Sequence, residues 1–431
     1  MSVAARKRIL VAAIVITAAS PLLFVRWNEP TPLLQSFKML AKTGALCGTV
    51  LAVWQLLLGF RRLAGRALTD LIWVFNSHKT IGRWILFLIA LHPVFITVYY
   101  IIKKGFNPLF LEGGFPFTGY VVLGMIALLI FLAVVITSVF FRTKMVAKTW
   151  FGIHVTSYLA VSLVFVHSLP IGMTVGETSL CPIWWTLAGV VAVILVFRAS
   201  FRLGAFTSRH KVSEVKKVGP EVTKISMQPD RKPMDPKLGQ FVYIRRGLWG
   251  PSRPFTVSHY DESSGELSVT IKALGPTTKW FQSMKPGESV YIDGPYGVFG
   301  REALQSVKSV VLIAGGIGIT PFMRLIHAFN KSSRDEIILF YGNKTTDEIV
   351  YKKELEQIQG LRIIHVISHD PDFPGETGFI TTDLMKRHLD KSLIDYEFLI
   401  CGPPIMTQKL EAGLRDNGVS DAQIHHEMFS Y

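Results

Sequence analysis

The sequence predicts a multidomain fold: a six-helix transmembrane bundle followed by an antiparallel β-barrel domain and a Rossmann-like α/β domain. Three observations carry this. Residues 1 to about 200 are dominated by apolar runs long enough to cross a bilayer, which takes roughly 20 residues. From about Thr207, charged, Gly/Pro-rich and short apolar segments alternate, as in water-soluble domains. Within that second half, short strands give way near Ser309 to alternating strand and helix. The boundaries fall at 1–205, 206–302 and 303–431, and a chain of 431 residues accommodates two or three domains.

The apolar runs lie near 9–26, 38–60, 84–102, 119–141, 148–169 and 182–198. The first follows Arg6, Lys7 and Arg8, as a signal peptide would. No small-residue cleavage site follows it, and Pro30 and Pro32 open a loop, so it reads as a retained helix. Arg61, Arg62, Arg66, Lys79 and Arg83 join the second and third runs. Arg142, Lys144 and Lys148 join the fourth and fifth, and Arg198, Arg202, Arg209 and Lys211 follow the sixth. These loops share one side with the N-terminus. The positive-inside rule therefore places the N-terminus and the soluble half in the cytoplasm of a multi-pass plasma-membrane protein. The same clustering accounts for the net charge of +15, which is not read as a nucleic-acid footprint. Three cysteines, Cys47, Cys181 and Cys401, have no paired spacing and suggest neither a disulfide framework nor a zinc site.

A histidine inside a bilayer is costly and marks a function. The membrane half holds His78 and His92 on the third helix and His154 and His167 on the fifth, 14 and 13 residues apart. At about 1.5 Å per residue each pair spans roughly 20 Å. Both helices start on the cytoplasmic side, so His78 and His154 share one depth and His92 and His167 another. Facing imidazoles at two depths suit the irons of two stacked haems. A 14-residue gap returns to within about 40° of the same helix face, but a 13-residue gap is about 140° off. The fifth helix is therefore expected to bend or to present its ligands to different sides, and Pro93 is a candidate kink in the third.

"HKTIGRW" followed by "LHP", and "WFGIHVTSY" followed by "VH", resemble the ferric reductase-type transmembrane domain shared by NADPH oxidases and ferric-chelate reductases. The resemblance implies two b-type haems, the inner on His78 and His154, the outer on His92 and His167. "LAKTGALCG" places Lys42 near the outer haem, where oxidase-type members carry a basic residue; a lysine snorkelling to the interface is the alternative. Ile96 stands where animal oxidases carry a further histidine.

In the soluble half, "QFVYIRR", "RPFTVSHY", "ELSVTIKALG" and "ESVYIDGPYG" read as strands of a small antiparallel barrel. "VVLIAGGIGITPFMRLI" reads as strand, glycine turn and helix, and "EIILFYG", "RIIHVIS" and "EFLICG" as further strands of a parallel sheet. In Arg253-Pro254-Phe255-Thr256 an arginine suits a pyrophosphate, an aromatic a flat ring and a hydroxyl a ring nitrogen. Glycines after an apolar strand that open a helix, as in "AGGIGITP", suit a phosphate. "CGPP" puts Cys401 at the carboxyl edge of the sheet, where ligands bind.

In order, RPFT, "IKALGPTT", "GPYG", "GGIGITP" and "CGPPIM" resemble the ferredoxin–NADP reductase module. This implies an FAD domain and an NAD(P) domain. Arg253 would meet the FAD pyrophosphate, with Pro254 beside it; Phe255 would pack on the isoalloxazine and Thr256 lie near its reactive nitrogen. Gly275, Thr278, Gly294, Pro295, Tyr296 and Gly297 would surround the FAD phosphates and ribityl chain. Gly315, Gly316, Ile317, Gly318, Thr320 and Pro321 would hold the dinucleotide, and Cys401, Gly402 and Pro403 would border the nicotinamide. The family often ends in an aromatic over the flavin, and the I-x-x-E-x-F spacing favours Phe429 over Tyr431. Lys344 in "YGNKTTDE" is placed to meet the 2′-phosphate of NADPH, with NADH the alternative. Cys401, Thr256 and Phe429 are thus the residues expected at the hydride-transfer centre.

The expected activity is transmembrane electron transfer from cytoplasmic NAD(P)H through FAD and two haems to an acceptor across the membrane. Molecular oxygen, giving superoxide, is the first acceptor; a ferric chelate or an extracytoplasmic protein is the alternative. A transporter with a regulatory nucleotide domain leaves the four histidines unexplained. Membrane lipid and a small acceptor are the expected partners, with no nucleic acid and no obligate protein.

Overall fold

The computed structural model describes residues 3–62, 70–110, 114–247, 250–330 and 336–427. Phe429 and Tyr431 lie outside the described residues. The chain divides into two units, Met1–Ser200 and Phe201–Tyr431.

Among the described residues, six helices of the first unit are long and apolar enough to cross a membrane: Ala5–Phe24, Pro32–Leu58, Trp73–Lys104, Phe117–Phe140, Ala147–Ile171 and Leu180–Arg202. Their inward faces form one core around Val50, Leu56, Phe131, Val161, Phe165 and Trp184. Phe87, Leu129, Leu159, Trp185 and Val196 point outward and are exposed, as side chains in lipid would be.

Three spans differ from their expected form. Pro32 starts the second helix instead of a loop: Thr31 caps it, its hydroxyl accepting from the Leu34 N–H at 3.3 Å, and proline fits the first turn. The third helix begins at Leu71, well before position 84, and runs unbroken through Pro93 to Lys104. Hydropathy marks only its apolar portion; the polar segment around His78 stays helical because Asp70 caps the Trp73 N–H at 3.0 Å. The fifth span is two helices, Ala147–Val155 and Ser157–Ile171, joined at Thr156. The Thr156 N–H bonds Ile153 three residues back, a tighter turn than the α-helical one. That tighter turn falls between His154 and His167. A wide π-helical turn, Thr43–Cys47, interrupts the second span.

The second unit begins with a closed antiparallel barrel of six strands in the order β1-β2-β5-β4-β3-β6. These are β1 (Ser208–Gly219), β2 (Val222–Pro229), β3 (Phe241–Arg245), β4 (Arg253–Tyr260), β5 (Leu267–Lys272) and β6 (Ser289–Tyr296). Val242, Ile244, Val257, Val269 and Ile292 fill it. A parallel sheet follows: β7 (Ser309–Gly315), β8 (Ile337–Asn343), β9 (Leu361–Ile367), β10 (Glu376–Thr377), β11 (Tyr396–Cys401) and β12 (Ile424–Glu427). Its order, β10-β9-β8-β7-β11-β12, reverses direction between β7 and β11. Ligands bind at the carboxyl ends of strands at such a switch point.

Candidate functional site: paired histidines and a nucleotide module

The four intramembrane histidines meet in the expected pairs. The ring centroids of His78 and His154 are 6.0 Å apart, and those of His92 and His167 are 6.2 Å apart. A metal–imidazole bond is about 2.0–2.1 Å, and ordinary bond lengths put the ring centre about 1.2 Å behind the nitrogen. One iron between two rings therefore sets their centres roughly 6.5 Å apart, within about 0.5 Å of both observed separations. The residues fit bis-histidine haem on this ground.

Hydrogen bonds orient three of the rings. His167 Nδ1 lies 2.7 Å from the Tyr120 carbonyl, and His92 Nδ1 lies 3.3 Å from the Ala41 carbonyl, just ahead of the π-helical turn. A carbonyl only accepts, so both nitrogens donate and each Nε2 keeps its lone pair for a metal. His154 Nδ1 lies 3.2 Å from the Ser138 hydroxyl, while His78 Nδ1 is buried without a partner. Glycines admit the rings. A Cβ on Gly124 would fall 2.7 Å from His167 Nδ1, and one on Gly59 would fall 3.3 Å from His78 Cε1. A Cβ on Gly44 would fall 2.5 Å from the His92 backbone nitrogen.

His92 and His167 border a cavity of about 540 Å³ that is also lined by Lys42, Gly44, Ile96, Gly124, Tyr99, Glu29, Lys38 and Lys103. Lys42 thus shares the cavity of the second histidine pair. Its rim is tied by Glu29, whose buried carboxylate accepts from Lys103 at 2.7 Å, Tyr99 at 2.9 Å and Lys38 at 3.0 Å. Near the other pair, Arg198 donates to the Gly59 carbonyl at 2.8 Å and lies over the rings of Phe60 and Tyr158. Sequence reading counted Arg198 only among the loop cations.

In the barrel, Arg253 is exposed at the start of β4, followed by half-buried Pro254 and Phe255. The Phe255 ring packs edge-on to Phe281, 5.3 Å away, at the end of the barrel core. Thr256 is buried, and its hydroxyl has no partner. A buried hydroxyl with no protein partner can still make a hydrogen bond, and it fits a flavin nitrogen. Thr278 is already committed: its hydroxyl accepts from the N–H groups of Leu274 and Gly275 and donates to the Gly275 carbonyl. It shapes the loop at Gly275. Tyr296 is buried, its hydroxyl donating to Asp293 at 2.8 Å. Gly294 and Gly297 have φ of 149° and 104° around Pro295, which frees the strand end from side chains there.

At the switch point, the ends of β7 and β11 interlock. A Cβ on Gly318 would fall 2.1 Å from the Cys401 carbonyl oxygen, one on Gly315 2.7 Å from Pro403, and one on Gly402 3.1 Å from the Gly315 backbone. The turn Gly316–Ile319 and the helix Phe322–Asn330 follow β7 directly, and Thr320 is buried between them. Ile317 and Pro321 flank the same turn. The Cys401 side chain is fully buried; burial, and then the Glu427 carboxylate, push its thiol well above the ordinary range. The side chain packs into the core of the sheet. Lys344 is exposed just after β8.

Paired intramembrane histidines joined to a barrel and a parallel sheet with glycine turns define a membrane oxidoreductase. By domain composition the chain matches a ferric reductase/NADPH oxidase-type fusion. Residues 43–165 match the model "Ferric reductase like transmembrane component", 209–300 "Oxidoreductase FAD-binding domain" and 312–411 "Oxidoreductase NAD-binding domain". The chain is 37% identical over 163 residues to NADH-cytochrome b5 reductase 2-A of Vanderwaltozyma polyspora, covering 35% of this chain and 54% of that protein. It is 29% identical over 198 residues to NADH-cytochrome b5 reductase 1 of Dictyostelium discoideum, covering 43% and 69%. The chain thus spans about half the length of the first of these relatives. Among solved structures, the ferredoxin reductase in carbazole 1,9a-dioxygenase matches at 24% identity and a TM-score of 0.47, covering 52% of this chain and 69% of that one.

Proposed function

We propose that this chain carries electrons from NAD(P)H on the cytoplasmic side of the plasma membrane to molecular oxygen on the opposite side, releasing superoxide. One NAD(P)H reduces two oxygen molecules, giving NAD(P)+, a proton and two superoxide ions. Bound FAD and two b-type haems supply the redox chemistry, the flavin converting a two-electron donor into single electrons. The carrying observation is that two histidine pairs stand at two levels, each with a ring separation close to the one a shared iron needs.

The residues divide the work. His78 and His154 hold the inner haem, and His92 and His167 the outer. Thr256 presents its hydroxyl to the flavin, with Arg253 at the pyrophosphate. The turn from Gly315 to Thr320 takes the dinucleotide phosphates, and Gly402 and Pro403 leave room for the nicotinamide. Lys42 places positive charge in the cavity beside the outer pair, where it favours a developing superoxide anion.

The test is NAD(P)H oxidation by purified protein with oxygen, with a ferric chelate, and with neither. Superoxide dismutase separates direct iron reduction from reduction by superoxide. Oxidation that needs the chelate and ignores oxygen overturns the oxygen reading. The match to a ferric reductase-like component favours the chelate as second reading. The names of the cytochrome b5 reductase relatives favour a protein acceptor as third, and NADH as coenzyme.

A further inference from the structure

Ser138 lies on the fourth span, sixteen residues before His154. Its hydroxyl has one hydrogen and two lone pairs. The hydrogen goes to the Val134 carbonyl at 2.6 Å. One lone pair accepts from the indole N–H of Trp150 at 3.2 Å. The remaining lone pair faces His154 Nδ1 at 3.2 Å. With its hydrogen spent, Ser138 can only accept, so Nδ1 must carry the proton. Trp150 also stacks on the imidazole, with centroids 4.9 Å apart and planes 25° from parallel. The Arg142 guanidinium sits 4.3 Å over that indole and closes the stack.

The four histidines are therefore not supported alike. His92 and His167 donate to backbone carbonyls, which no substitution of the acceptor residue removes. His78 has no Nδ1 partner. Only His154 depends on a side chain. We propose that Ser138 is a positioning residue for the inner haem: it fixes the His154 ring with Nδ1 protonated and Nε2 facing His78, and so sets the donor strength of that ligand. This rests on the di-haem reading above. An Nδ1–H that donates a hydrogen bond makes Nε2 a stronger donor, which favours ferric iron and lowers the potential.

The experiment is an optical redox titration of the full chain, with low-spin electron paramagnetic resonance and the haem-to-protein ratio, for Ser138→Ala, Ser138→Cys and Ser138→Thr. The expected result is that S138A raises the midpoint of one haem or lowers its occupancy and leaves the other haem unchanged. S138C, with a weaker acceptor, shifts the same haem less, and S138T restores it. If S138A does not fold, the contrast between Cys and Thr carries the test. Unchanged potentials and spectra in the folded variants overturn the proposal, as does a shift of both haems together. Wild-type protein that binds no haem overturns the di-haem reading itself, an outcome distinct from either.

Discussion

Gly318 lies so close to Cys401 that a Cβ on the glycine would stand 2.1 Å from the cysteine carbonyl oxygen. More than eighty residues separate them in sequence, and the neighbouring strands β7 and β11 bring them together. The obstacle is backbone, so it cannot swing aside. Gly318→Ala is expected to cost at least the ~1–3 kcal/mol typical of overpacking and to reduce NAD(P)H-dependent flavin reduction. Differential scanning calorimetry and stopped-flow flavin absorbance check this. A variant with native melting and native reduction rate sinks the interlock.

Thr256 gives an effect of opposite sign in two states. Its buried hydroxyl has no partner without a ligand. Thr256→Val removes that orphan, so the FAD-free protein is expected to gain up to roughly 1 kcal/mol. FAD affinity is expected to fall about fivefold, one hydrogen bond's worth. Thermal melting with and without FAD, together with flavin titration, reads both. Equal FAD affinity in the two proteins removes Thr256 from the flavin site.

How much of this was legible in sequence follows from the kind of signal each part leaves. His78, His92, His154 and His167 stand out because an ionisable group in an apolar run is costly. GGIGITP and CGPP stand out because glycine turns after apolar strands are local patterns. Their interlock is not local: Gly318 and Cys401 meet only through the β7–β11 register. Thr156 shows the same limit. The 13-residue spacing implied a distortion of the fifth helix, but which residue carries it depends on a hydrogen bond to Ile153. Strands β1 and β2 were not singled out because their charged, lysine-rich outer faces mask the alternation of "SRHKVSEVKKVG" and "VTKISMQP". Ser138, Gly124 and Glu29 were missed altogether. A serine, a glycine or one loop carboxylate has no meaning until its neighbour is placed, although a glycine inside an apolar helix is a hint of close packing.

Glu29 ties three segments at the rim of the cavity, its side chain 2% exposed. Burial raises its pKa, but hydrogen bonds from Lys103, Lys38 and Tyr99 outweigh burial and hold it at about 2, below the ordinary 4.5. A folded-state value below the unfolded one means stability that is complete above about pH 4.5 and is lost as pH falls toward 2. Glu29→Gln is expected to cost about 1–3 kcal/mol at neutral pH. The melting difference between wild type and E29Q should hold constant above pH 4.5 and close below it. A gap independent of pH overturns the ionised assignment.

Lys344 follows β8 and is exposed, free to reach a phosphate. If it meets the 2′-phosphate of NADPH, Lys344→Ala should raise the KM for NADPH about tenfold, the loss of a charge-assisted bond. The KM for NADH should not change. Equal effects on the two coenzymes, or none, place the phosphate contact elsewhere.

Gly124 and His167 supply the most selective test of the outer pair. A Cβ at Gly124 would stand 2.7 Å from Nδ1, 2.8 Å from Cε1 and 3.0 Å from Cγ of the His167 ring. Nδ1 donates to the carbonyl of Tyr120, one turn earlier on the same helix as Gly124. The added methyl therefore occupies the approach to the acceptor as well as the ring's own space. The ring must leave both its hydrogen bond and its alignment with His92, and a ligand displaced by even 1 Å no longer closes a bond of about 2 Å. Gly124→Ala is expected to lower the haem-to-protein ratio from two toward one, with the remaining haem giving the spectrum of the His78–His154 site. Gly152→Ala is the control. It lies on the His154 helix with nothing within 4 Å of the new Cβ, and should keep both haems. Two haems per protein by the pyridine haemochrome assay, together with native optical spectra of the intact G124A protein, would show that His167 does not need the place this structure gives it.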